Sequence, residues 1–303
     1  MRRITLPVAA LATVAMLVTV GVSRGASLRL PGSLPKFSHV VVIVMENREY
    51  PSIIGSSKAP YINSLAQRYA SASSFYATTH SSLPNYLAML SGQTFGLSTT
   101  CTTCHFNAPN LVDQLEGAGI SWKAYMDGAP SACFTGATYG TTYAKKHNPF
   151  VYFDDITGNP ARCAKVVPMT RLSTDLTNGA LPTFAWITPD LCHDMHDCTV
   201  ATGDQFLSTL VPPILDALGK NGVLFLTWDE GTTTAGCCTY ATGGHIATIV
   251  AGPGARSGVT SSKAYDHYSI LRTIEDAWGL ARLANAACSC SAPMKDLIKT
   301  TLL

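Results

Sequence analysis

The run Val40-Val41-Val42-Ile43-Val44-Met45 constrains the fold more than any other stretch of the chain. Six successive apolar residues, five of them β-branched, leave no polar face for solvent. Such a strand is buried on both sides, as a central strand of a parallel sheet is when helices cover both faces. The flanking pattern agrees. Helix-like stretches are predicted at 60–70, 83–91, 109–117, 199–218 and 267–278, and strand-like stretches at 72–78, 119–126, 182–188, 222–228 and 245–251. Strands alternating with helices define an α/β fold with crossover connections. Residues 128–170 are rich in Gly, Thr, Tyr and Pro and read as an insertion or cap.

Residues 1–26 read as a secretory signal. Arg2-Arg3 precedes an apolar run from Leu6 to Val22, and small residues follow, with cleavage expected after Ser23 or Ala26. Residues 27–303 are then a single domain. A retained anchor is the alternative, disfavoured because the run has 17 residues and contains Pro7, at the short edge of a membrane span. Arg2-Arg3 leaves a twin-arginine route open. The expected location is outside the cell or in its envelope, with no stable membrane span once the signal is removed.

Composition narrows the partners. A chain with 47% hydrophobic and 13% charged residues is not a disordered tail, coiled coil or collagen-like rod. Without Arg2, Arg3 and Arg24 the chain carries 18 Lys and Arg against 19 Asp and Glu, a net charge of −1. That balance argues against nucleic-acid binding. A monomer is expected. The ten cysteines all follow the signal, and an even count in an exported chain predicts disulfides. A zinc site at Cys101-x-x-Cys104 is the rival; no second pair at zinc-finger spacing supports it. The pairing does not follow from sequence.

Sites in open α/β sheets form beyond the carboxyl ends of the strands. The first predicted strand runs into Glu46-Asn47-Arg48, the 182–188 strand into Asp190 and His193 to Asp197, the 222–228 strand into Trp228-Asp229-Glu230, and the 72–78 strand into Thr79-His80-Ser81-Ser82. In a chain with so few charges, four polar strand ends point to one site. Ser82-Leu83-Pro84-Asn85 places Ser82 at a predicted helix N-cap with Pro84 in the first turn. A serine at such a terminus is a cap, or a nucleophile toward phosphorus where free N–H groups face an anion. Ser81 is the neighbouring alternative, and Asn85 is placed to bond a phosphoryl oxygen. Glu46, Asn47, Asp229 and Glu230 are hard oxygen donors that would repel one another without a cation; such donors suit Mg, Ca or Mn. His80, His196, His245 and His267, with Asp194, are placed to hold a second metal or protonate a leaving group. His193 competes with His196, and His39, His105 and His147 are assigned structural roles.

These segments resemble a known family. Val42-Ile43-Val44-Met45-Glu46-Asn47-Arg48-x-Tyr50, Thr79-His80-Ser81-Ser82-Leu83-Pro84-Asn85-Tyr86, Asp194-Met195-His196-Asp197, Trp228-Asp229-Glu230, Gly243-Gly244-His245 and Asp266-His267-Tyr268-Ser269 stand in the order seen in bacterial phosphoesterases. That family holds secreted acid phosphatases and larger phospholipases C within the alkaline-phosphatase superfamily. The resemblance covers residues 38–280 and implies a three-layer α/β/α sandwich with a mostly parallel central sheet. It implies that Glu46, Asn47, Asp229 and Glu230 bind metal and that Ser82 is the nucleophile. It also implies that His80, His196, His245 and His267 line the phosphate pocket. Asp194 and His245 extend the expected metal set, and the ion is Mg, Ca, Mn or Zn. Family members often carry Pro where Ser81 stands, and the segment Thr232–Tyr240 with adjacent Cys237-Cys238 lies outside the pattern.

The expectation is a secreted metal-dependent phosphomonoesterase of the acid phosphatase type, acting through a phosphoserine on phosphate esters that include lipid phosphates. The alternatives are a phospholipase C-like phosphodiesterase and a non-catalytic exported binding protein. A serine protease or lipase is disfavoured because no Gly-x-Ser-x-Gly elbow surrounds a serine.

Overall fold

The apolar run Val40–Met45 forms β1, and all six residues are buried. In the computed structural model, which describes Met1 and residues 34–300, β1 lies inside a nine-stranded sheet. The predicted signal lies outside the described residues. The other strands are β2 (Ala70–Tyr76), β3 (Trp122–Met126), β4 (Thr138–Tyr139), β5 (Tyr143–Ala144), β6 (Val166–Pro168), β7 (Phe184–Thr188), β8 (Val223–Trp228), β9 (His245–Ala251), β10 (Val259–Ser261) and β11 (Tyr265–Asp266). The helices are α1 (Tyr50–Ile53), α2 (Pro60–Arg68), α3 (Ser82–Ser91), α4 (Leu111–Gly117), α5 (Asp154–Thr157), α6 (Pro160–Cys163), α7 (Thr170–Thr177), α8 (Val200–Ala217) and α9 (His267–Trp278).

The strand order is β10-β2-β9-β8-β1-β7-β3-β6, with β11 also on β2, and β4 and β5 form a separate hairpin. Val41 of β1 faces Ala185 of β7 on one side and Leu224 of β8 on the other, both parallel. Strand β9 alone runs against its neighbours, β8 and β2. Its first residue, His245, therefore lies at the edge where β8 ends. The same edge collects the ends of β1, β2, β3 and β7. Helix α8 packs on α2 and α7, and α3 packs on α9. The sheet is buried between such groups, giving the mostly parallel α/β architecture expected.

The region 128–170 departs from a pure insertion. It holds the β4–β5 hairpin and two one-turn helices, but it ends in β6, which extends the main sheet beside β3. Three residues are too few for a periodic signal. Helix α7 carries no sequence signal of its own, because its apolar residues Leu172 and Leu176 give a single i,i+4 pair. The cysteines form Cys101–Cys104, Cys133–Cys163, Cys192–Cys198, Cys237–Cys238 and Cys288–Cys290. Only Cys133–Cys163 closes a loop of 30 residues. It is the bridge with the largest chain-entropy effect, about 3–4 kcal/mol. No helix among the described residues is long and apolar enough to cross a membrane.

Candidate active site

Three acids converge at the carboxyl edge. Glu46 directly follows β1, Asp229 directly follows β8, and Asp194 follows β7 in the next loop; all three are fully buried. Their backbones are tied together: Glu46 N donates to Asp194 O at 2.9 Å and Asp229 N to Met45 O at 2.8 Å. Asn47 takes a left-handed turn at φ 51°, and its N–H then donates to Asp229 Oδ1 at 3.0 Å. Arg48 Nη2 clamps the carbonyls of Met195 at 2.6 Å and Cys198 at 2.9 Å, fixing the loop that carries Asp194.

Glu46 is the hub. Its Oε2 accepts the Ser82 hydroxyl at 3.1 Å and its Oε1 accepts the Tyr86 phenol at 2.7 Å. Asp229 stands close enough to Glu46 for the two charges to repel. Ser82 and Tyr86 stand four residues apart on α3 and so share one face of the helix. Ser82 is the first helical residue, whereas Ser81 takes the cap position at φ 68° without a side-chain cap bond. The Ser81 hydroxyl points to Ser98 O at 3.4 Å, away from the acids. Asn85 holds this turn: its Oδ1 accepts Thr79 N at 2.9 Å, and its Nδ2 donates to Thr79 O at 2.8 Å and Ser81 O at 3.1 Å. Asn85 therefore shapes the serine turn directly. Gly243 closes the other side. A Cβ there would collide with the Thr79 backbone, and Gly243 N donates to Ala77 O at 2.9 Å.

The sequence reading gives His147 a structural role, and the structure places it beside the acids. It is buried against the acids, with Nε2 3.1 Å from Glu46 Oε1 and Nδ1 3.4 Å from Asp194 Oδ2. Its ring stacks on Tyr86 at 5.4 Å. Nothing in the sequence around Lys145-Lys146-His147 marks it, because its partners are supplied by other strand ends. Burial pushes its pKa well below the ordinary value, and the charges of Lys146 and His196 act the same way.

Burial also pushes the acids up. Glu46 rises well above the usual carboxylate range, with Asp229 and Asp194 adding repulsion. Asp194 is raised to about 8 and Asp229 to about 7, the latter also facing Glu230. On the acids and His147, three buried atoms have no hydrogen-bond partner: Asp194 Oδ2, Asp229 Oδ2 and His147 Nε2. Unpaired lone pairs on buried carboxylates are costly unless a cation shares them. Three carboxylates and an imidazole fit a divalent cation. Glu46, His147 and His196 offer ligand atoms within 4.8 Å of one another, and Asp127, Asp190 and His193 form a second such group.

The remaining histidines are placed differently. His196 Nδ1 meets Asp197 Oδ1 at 2.6 Å, and its Nε2 meets Lys146 Nζ at 3.0 Å. His80 bridges Glu230 Oε2 at 2.7 Å and Thr233 O at 2.9 Å, so Glu230 is engaged by a histidine at the rim. His245 stacks on Tyr50 at 4.4 Å and bonds Ser73 O at 2.9 Å. His267 is fully buried, its Nε2 2.9 Å from Trp228 O and its Nδ1 3.4 Å from Thr78 N. Burial lowers its pKa to about 4. Both nitrogens serve the backbone that carries the site. His193 Nδ1 pairs with Asp127 Oδ2 at 2.7 Å and its ring stacks on Phe206. His39 bonds Leu218 O and His105 bonds Asp154, both away from these acids.

Comparison with known proteins gives the family and the fold. The chain matches the Phosphoesterase family over residues 55–281. It is 35% identical to a phosphatidylinositol-3-phosphatase of Mycobacterium tuberculosis, over 84% of this chain and 81% of that protein. It is 31% identical to a probable acid phosphatase of Kluyveromyces lactis over 82% of this chain, and spans 59% of that longer protein. Its fold is similar to that of a protein in the alkaline phosphatase superfamily from Vibrio parahaemolyticus. The TM-score is 0.56 at 15% identity, covering 85% of this chain and 71% of that one. The chain belongs to the Phosphoesterase family and is a phosphoric ester hydrolase.

Proposed function

We propose that the chain is a secreted, divalent-cation-dependent phosphomonoesterase that works through a phosphoserine on Ser82. One observation carries the reading: the Ser82 hydroxyl, at the first turn of α3, donates to Glu46 inside a buried cluster of carboxylates. Glu46, Asp194, Asp229 and His147 are the residues that would hold the cation. When bound, it supplies neutralisation of phosphoryl oxygens and lowers the pKa of the serine hydroxyl.

The chain's own groups do the rest. The start of α3 directs N–H groups and positive dipole potential toward the phosphoryl group. Ser82 Oγ attacks phosphorus; the Oγ–P bond forms as the bond to the leaving oxygen breaks. The serine proton passes to Glu46, whose Oε2 already accepts it in a hydrogen bond. The leaving oxygen takes a proton from a water on the side where His196 stands. That water attacks the phosphoserine, the Oγ–P bond breaks, inorganic phosphate departs, and the proton on Glu46 returns to Ser82. Tyr86, a phenol kept protonated by burial, holds Glu46 in register throughout.

The similarity to a phosphatidylinositol-3-phosphatase supports phosphoinositide monoesters as a substrate class. The test is release of inorganic phosphate from p-nitrophenyl phosphate and from micellar phosphatidylinositol 3-phosphate. Each is assayed before chelation, after it, and after return of Mg, Ca, Mn or Zn. No hydrolysis of either ester with any of these ions sinks the reading.

A further inference from the structure

The site is short of positive charge. It gathers Glu46, Asp194, Asp229 and Glu230, while Arg48 is committed to the carbonyls of Met195 and Cys198. Lys146 differs from these groups. Its Nζ lies 3.0 Å from His196 Nε2, and among the described residues it forms no ion pair with a carboxylate. Other cations, such as Lys123 with Asp175 and Lys165 with Glu116, are paired.

The fold aims this lysine deliberately. Lys145 before it is buried, donates its ammonium to Thr102 O at 2.8 Å and lies over the Tyr152 ring at 4.6 Å. His147 after it is buried between Glu46 and Asp194. Lys145 N donates to Ala137 O at 2.9 Å, and Asn148 N closes the turn on Lys145 O at 2.8 Å. With both neighbours fixed, Lys146 is held at the half-buried margin next to His196. Because an ammonium only donates, His196 Nε2 is the acceptor, and its Nδ1–H then donates to Asp197.

We propose that Lys146 is a specificity-determining substrate-binding residue: its ammonium takes the second negative charge of a phosphate monoester and thereby sets the preference for monoesters over diesters. The inference rests on the phosphoesterase reading above and adds a residue to it. Monoesters are largely dianionic near neutrality, since the second ionisation falls near pH 6, whereas diesters carry one charge. A carboxylate-rich site repels the dianion more, so a cation without a carboxylate partner repays the dianion more. On binding, the ammonium exchanges its contact with the His196 ring for one with a phosphoryl oxygen, a stronger charge-assisted bond.

The experiment compares wild type, Lys146→Met and Lys146→Arg on p-nitrophenyl phosphate and bis(p-nitrophenyl) phosphate, with inorganic phosphate as competitive inhibitor. In Lys146→Met the monoester KM and the phosphate inhibition constant rise about tenfold or more, the scale of one hydrogen bond to a charged group. Diester kcat/KM stays within about threefold, on the same scale. The monoester-to-diester ratio therefore collapses, and Lys146→Arg recovers most of it. The methionine keeps the apolar stem, so packing is retained; where diester turnover is too slow to measure, phosphate inhibition alone decides. An unchanged inhibition constant, or a parallel fall on both esters, overturns the proposal. Ser82→Ala run alongside separates the two levels: wild-type turnover lost in Ser82→Ala with an unaffected Lys146→Met sinks only the lysine.

Discussion

Ser82 and Glu46 stand 36 positions apart in sequence and meet through a 3.1 Å hydrogen bond from the serine hydroxyl to the carboxylate. Each is fixed by a different layer. Glu46 is held by the central strand β1, and Ser82 by the first turn of α3. Their meeting sets a hydroxyl at a helix start against a buried carboxylate.

The adjacent serines separate cleanly. Ser82→Ala should lower kcat for p-nitrophenyl phosphate by at least about 10³-fold, as loss of an attacking group does. Ser81→Ala should stay within about threefold, because its hydroxyl faces Ser98 O. Steady-state kinetics on the two variants measures this, and equal losses would remove the distinction.

Cation binding should weaken as pH falls. Asp229 is raised to about 7 and Asp194 to about 8 in the cation-free protein. Below those values both carboxyls hold protons, and a cation must displace them. Titration calorimetry of chelated protein with Mn should show affinity decreasing from pH 8 to pH 6, with proton release. Asp229→Asn should flatten that slope and weaken binding.

His147 should matter although no sequence signal points to it. His147→Ala should cost roughly 10–100-fold in cation affinity or activity, the usual scale for a group that ligates or orients a ligand. His39→Ala, which loses only a bond to Leu218 O, should leave both unchanged. Equal effects from the two substitutions would count against the placement.

Glu275 is fully buried on α9 and burial raises its pKa to about 8. Its Oε1 accepts Leu283 N at 2.8 Å, while Oε2 has no partner. The folded pKa exceeds the unfolded one, so the proton binds the native state more tightly. That stabilisation is full below about pH 4.5, the ordinary glutamate range, and is lost as pH rises toward 8. Glu275→Gln should remove this slope and gain on the order of 2 kcal/mol over wild type at pH 8. Urea unfolding across that range reads it directly.

Much of this was legible before the structure. The apolar β1 run, the paired strand–helix alternation and the polar residues after β1, β2, β7 and β8 all follow from local chemistry. Glu46, Asp229, Asp194 and Ser82 are brought together because parallel strands end at one edge, a rule that needs no coordinates. His147 and Lys146 were not legible, since they arrive on an insertion whose path depends on long-range packing of Lys145 and Tyr152. Strand β6 was missed for a related reason: three residues at a sheet edge carry too little pattern. The distinction between Ser81 and Ser82 also required the structure, because it turns on which side of a left-handed residue each hydroxyl falls.

In the proposed reaction Ser82 carries the phosphoryl group. The most direct measurement is acid quenching of the enzyme during turnover of a phosphate ester, followed by peptide mapping. Phosphate is expected on Ser82 in the wild type and is absent in Ser82→Ala. Phosphate on another residue, or full turnover by Ser82→Ala, would contradict it.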